Sequence, residues 1–125
     1  LLVWRCKVQR ITKMSAGRYD IVIDQGADFA RQLVVKEDGT VKNLSIYNAR
    51  AAMRSSKTAA TVSATFTCTI TDAANGVLKF ELSNSLTKNL TPGIYYYDLE
   101  IYTGGDAAVQ RLLEGKVTVT PEITK

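Results

Sequence analysis

Histidine is absent from this chain of 125 residues. That removes the commonest general base, the usual nitrogen ligand for metals, and the base of any Ser-His or Cys-His nucleophilic pair. Cysteine is scarce: Cys6 and Cys68 stand far apart without metal-ligand spacing. Free buried thiols are the simpler reading, and a Cys6–Cys68 bridge is the alternative. No apolar run approaches the roughly 18 residues of a membrane-spanning helix. Calcium loops, P-loops, G-x-G-x-x-G and G-x-S-x-G are all missing from the sequence. Acidic residues cluster only in "KED" at 36–38 and "DLE" at 98–100, which read as solvated strand edges and turns. "TGGD" at 103–106 reads as a hairpin tip, since no helix follows to cradle a phosphate. An enzyme is not expected, and neither is a cofactor, a metal or a small-molecule ligand.

What is present is the composition of a globular domain, 46% apolar and 22% charged. The net charge of +4 is concentrated at one end. Arg5, Lys7, Arg10, Lys13 and Arg18 lie in the first 18 residues without a single acid, and the remainder is close to neutral. A nucleic-acid binder normally carries its basic stripe on the folded body, with a groove-reading element or aromatics beside it. Neither a nucleic-acid nor a membrane partner is expected.

Residues 1–17 read as an extended N-terminal arm. Arg5, Lys7, Gln9 and Arg10 interrupt any signal-peptide core, Met14 followed by "SAG" resembles a natural start, and no strand or helix period is clean. Leu1, Leu2, Val3 and Trp4 need a surface to cover them. They either cap the domain's own body or, as the favoured expectation, dock on a neighbouring chain.

From residue 18 to 121, period-two alternation dominates, and residues 122–125 are left as a tail. Tyr19, Ile21 and Ile23 alternate with Asp20, Val22 and Asp24 until Gly26. Phe29, Arg31, Leu33 and Val35 alternate with Ala30, Gln32, Val34 and Lys36 before Asp38-Gly39 turns the chain. "NARAAMRSS" has helix-favouring composition. Its alternation nevertheless predicts a strand with Tyr47, Ala49, Ala51 and Met53 on one face and a basic outer face at Arg50 and Arg54. Phe66, Cys68 and Ile70 lead through a turn at 72–76 into Phe80 and Leu82. "SNSLTKNL" predicts a helical turn capped by Ser83 or Asn84, and a long hairpin around Gly104-Gly105-Asp106 ends at Pro121. About seven short strands with regularly spaced turns predict an all-β, immunoglobulin-like antiparallel two-sheet sandwich.

"LTPGIYYYDLEI" at 90–101 carries the densest aromatic signal. The spacing of Leu90, Pro92, Gly93 and Tyr95 resembles the tyrosine corner of Greek-key sandwiches, where the hydroxyl bonds to backbone a few residues upstream. Tyr97, Leu99 and Ile101 then share the inward face. Tyr96 and Tyr102 face outward beside Asp98 and Glu100, either as interface anchors or as strand formers covering their neighbours.

"YDIVIDQGADF", "NLSIYNAR", "PGIYYYDLE" and "RLLEGKVTV" together resemble a recurrent pattern of phage and prophage virion proteins, similar to the N-terminal domain of upper baseplate proteins. The likeness runs from Tyr19 to about Thr124. Gln25-Gly26, Tyr47 with Ala49-Arg50, Tyr97-Asp98-Leu99 and Gly115 carry most of it. Ala51 and Ala52 replace larger apolar residues, and the segment before Met14 lies outside the pattern. The resemblance implies a virion structural subunit of tail, baseplate or neck, assembled in the host bacterial cytoplasm. It would act by packing against other virion proteins and copies of itself in a symmetric assembly. A capsid decoration protein, or a carbohydrate- or host-binding module using Tyr96 and Tyr102, are the alternatives.

Overall fold

Alternating apolar side chains become strands nearly everywhere in the chain. The structure is a computed structural model and describes residues 3–8 by their backbone, and 17–37 and 39–124 in full. The strands are β1 (Val3–Val8), β2 (Gly17–Arg18), β3 (Ile21–Asp24), β4 (Phe29–Glu37), β5 (Thr40–Val41), β6 (Asn48–Arg54), β7 (Ala64–Asp72), β8 (Val77–Leu82), β9 (Gly93–Tyr102) and β10 (Val109–Thr120). One short helix, α1 (Asn84–Thr87), follows β8.

The chain is all-β, as its sequence predicts, with a different strand arrangement. Hydrogen bonding runs continuously in the order β1-β4-β8-β7-β6-β9-β10-β2, with β3 also on β10 and β5 on β4. The sheet is mixed where an antiparallel pair of sheets was expected: β1 runs parallel to β4, and β2 and β3 run parallel to β10. Its two halves are joined through β7, whose first residues pair with β6 and whose later residues pair with β8. The sheet curls, bringing β1 close to β2 and β10. The expected arm is also revised. Residues 3–8 lie in register along this chain's own β4, from Val3 opposite Gln32 to Val8 opposite Glu37.

Inside the curl, Phe66 and Phe80 meet Tyr97, and Phe29 packs against both phenylalanines. Phe66 packs edge-on against Phe80 at a centroid distance of 5.4 Å, Phe29 lies 6.0 Å from both, and Phe80 stacks on Tyr97 at 6.1 Å. Leu33, Val35, Met53, Leu78, Leu99, Ile101 and Val117 complete a dry interior. Arg31 occupies an inward position of β4 yet reaches out of the core. Its guanidinium lies 4.6 Å from the Phe29 ring centroid, and its Nε donates to the Tyr19 hydroxyl at 3.2 Å. The charge finds polar company there and at the Ala30 carbonyl, to which Nη1 donates at 2.8 Å.

Polar ties close the ends. The Gln25 amide donates from Nε2 to the Leu90 carbonyl at 2.8 Å and accepts the Glu122 N–H at 2.9 Å. Glu122, at the start of the expected tail, is tied to the body by this bond. Thr87 is fully buried; its Oγ1 donates to the Ala27 carbonyl at 2.8 Å and accepts the Gly26 N–H at 3.1 Å. Ser83 does sit at the N-cap of α1, but its hydroxyl makes no capping bond. The Asp28 carboxylate caps the helical turn instead, accepting the Asn84 N–H at 2.7 Å.

Candidate interaction face

Strand β9 supplies the centre of the outer face because its alternation is strict. Tyr95, Tyr97, Leu99 and Ile101 are buried, so Tyr96, Asp98, Glu100 and Tyr102 project outward. Pairing with β6 and β10 sets their neighbours by register. Arg50 stands opposite Glu100, Ala52 opposite Asp98 and Arg54 opposite Tyr96 on one side; Arg111, Glu114 and Lys116 oppose Glu100, Asp98 and Tyr96 on the other. Directly opposed cross-strand residues are close enough to interact. The result is an open groove of about 530 Å³.

Its charges are mostly matched. Arg50 donates from Nε to Glu100 at 2.6 Å and lies 3.3 Å from Asp106. Arg111 lies 3.4 Å from Asp98 and 3.5 Å from Glu114. The hydrogen bond to Glu100 holds the Arg50 guanidinium above its ordinary value, so it is always charged. Burial raises the Asp98 carboxyl, with Glu100 and Glu114 adding to the effect and Arg111 and Arg54 opposing it.

The two outward tyrosines are half-covered by cations of their own chain. The Arg50 guanidinium lies 4.2 Å from the Tyr102 ring centroid and Lys57 Nζ lies 5.7 Å from that of Tyr96. These are cation–π distances. A sugar stacking on either ring would have to displace a charge from it. The sequence pointed to Tyr96, Tyr102, Asp98, Glu100 and the basic face of β6. It did not reveal Lys57, which comes from the loop after β6, or Arg111 and Glu114, which only the β9–β10 register brings across.

The other residues singled out from sequence lie elsewhere. Leu1 and Leu2 fall outside the described residues, and Val3 and Trp4 are described by backbone alone, in β1. Behind the groove, the Tyr95 hydroxyl donates to the Thr91 carbonyl at 2.6 Å. Leu90 is buried, Pro92 is exposed, and Gly93 opens β9 opposite Val119. Cys68 is a free thiol, while the Cys6 side chain of the alternative bridge lies outside what is described. Burial pushes the Cys68 thiol up to about 12, so at neutral pH it stays protonated and unreactive. Among the described residues no group of His, Cys, Asp and Glu could hold a metal ion, and no helix is long and apolar enough to cross a membrane.

An all-β body with a charged, aromatic-flanked groove defines a class by its fold. No family model matches the sequence, and no curated protein matches it. Solved structures do. The N-terminal domain of phage TP901-1 ORF48 superimposes with a TM-score of 0.58 at 13% identity, covering 94% of this chain and 95% of that one. The cysteine protease inhibitor EhICP2 from Entamoeba histolytica gives a TM-score of 0.50 at 12% identity, with the same two coverages. At such identities the likeness is one of fold.

Proposed function

We propose that this chain is a structural subunit of a bacteriophage tail, baseplate or neck, acting through protein–protein assembly with other virion proteins and copies of itself. The observation that carries the reading is the end-to-end likeness of fold to the phage TP901-1 domain. The surface supports it. The groove offers cross-strand ion pairs and aromatic rings with cations over them, and the chain's one described thiol, outside the groove, is inert, which suits contact better than turnover. Within this reading the curled sheet is a variant of the immunoglobulin-like sandwich in which β7 serves both layers. A place on the capsid surface would use the same chemistry at another site of the particle.

Electron microscopy of particles produced from the genome that encodes the chain, with an epitope tag after residue 125, tests the proposal. Label on the tail, baseplate or neck is the expected result. Label on the head favours decoration, and purified particles without the chain would overturn the virion reading.

A further inference from the structure

Cations exceed acids along the groove, and the excess sits at one end. Arg50, Arg111 and Arg18 each have a carboxylate within 2.6–3.5 Å. Arg54 and Lys57 have none within ion-pair distance among the described residues. Arg54 is nonetheless held in place, since its Nη1 donates to the carbonyls of Ala59 and Ala60 at 3.1 and 2.9 Å. Those bonds fix the guanidinium without neutralising it. Lys57, in the same loop, leans over the Tyr96 ring. The small residues Ala52, Ser56 and Thr65 line the groove with them, which leaves room for an incoming group.

We infer that the Tyr96 end of the groove docks an acidic segment of a neighbouring protein chain. One carboxylate accepts from the fixed Arg54 fork and a second pairs with Lys57 where it stands over the Tyr96 ring. Arginine suits this role because its planar donors match a carboxylate. Asp98, Glu100 and Glu114 line the remainder of the same groove, so only its Tyr96 end offers unpaired cations, a length that suits two carboxylates of a short segment better than an extended strand of phosphates. That the partner is a protein rests on the assembly reading above; the charge excess does not.

The test is an NMR titration of the isotopically labelled chain with hexaglutamate, with hexathymidylate as the comparison. Hexaglutamate is expected to move the amide resonances of Arg54, Lys57, Thr65 and Tyr96, and to bind more weakly as salt rises. Lys57→Gln should weaken binding roughly two- to fivefold, as loss of one exposed ion pair does, and Lys57→Glu should weaken it further. Lys57 is exposed, so the rest of the spectrum should stay unchanged and report an intact fold. Absent shifts, shifts confined to other residues, binding indifferent to Lys57→Glu, or tighter binding of hexathymidylate would each overturn the inference. A null titration removes the acidic-peptide site alone, because particle labelling decides the virion reading without it.

Discussion

Asp98 shows how a single side chain reports on its surroundings. It stands at the middle of β9 between Tyr96 and Glu100, partly removed from water, and burial raises its carboxyl above the usual range. The folded chain therefore holds this proton more tightly than the unfolded chain. The resulting stabilisation is fully present below the unfolded carboxyl value of about 3.9 and is lost as pH rises through the folded value. Asp98→Asn stays neutral throughout, so it is expected to match the parent near pH 3 and exceed it at pH 7. The gain should be no more than about 0.5 kcal/mol, because a side chain 41% exposed is screened by solvent. Urea midpoints at the two pH values check this, and a variant less stable at pH 7 would show that the Arg111 pair outweighs burial. Which way Asp98 faces was legible in the sequence, from the alternation of Tyr95, Tyr97 and Leu99. Its partners were not, because Arg111 arrives through the register of another strand. The same holds for Gln25, whose acceptor at Leu90 and donor at Glu122 lie 65 and 97 residues away.

Elements meet where one backbone runs close against another, and β10 shows what this asks of a sequence. The link between β2 and β3 runs alongside β10 past Gly115. The Tyr19 N–H donates to the Glu114 carbonyl at 3.0 Å, and the Lys116 N–H donates to the Asp20 carboxylate at 2.9 Å. A Cβ at Gly115 would press on the Tyr19 carbonyl and come within 2.8 Å of Asp20 Oδ1. The Tyr97 hydroxyl donates to that same Tyr19 carbonyl, which holds the close approach in place. Gly115→Ala is expected to cost about 1–3 kcal/mol, as forced overpacking does. Gly104→Ala, where a Cβ meets nothing within 4 Å, should cost far less. Paired denaturation curves distinguish the two, and equal costs would mean that the β2–β3 link yields freely. The sequence marked Gly115 through a resemblance, without a reason; the reason is this close approach. A nearby irregularity was equally hidden: Leu112 and Leu113 are both buried, which alternation forbids, and a bulge between Arg111 and Leu113 resolves it.

At the scale of the whole molecule, alternation tells a strand which face to bury but not which neighbour to choose. The β-rich body and most of its strands were therefore legible, whereas the parallel pairings and the route of β7 between halves were not. The first strand is the sharpest case. Its mixed apolar and basic residues suggest an arm reaching for another chain, yet β1 runs parallel along β4 and lies close to β2 and β10. Each ladder hydrogen bond contributes about 1 kcal/mol net, and ordering each residue costs about 1–2 kcal/mol. Backbone pairing thus roughly offsets the ordering of these six residues, and whatever β1 adds beyond that is read in the denaturation midpoint. Removing residues 1–13 is then expected to lower the denaturation midpoint and to bare the edge of β4. A bare edge of nine residues is a template for pairing with another chain, so light scattering should show the truncated protein associating more than the intact one. A free arm makes the opposite forecast, an unchanged midpoint and weaker association, so one truncation measured both ways decides between an integral strand and a clasp for a neighbour.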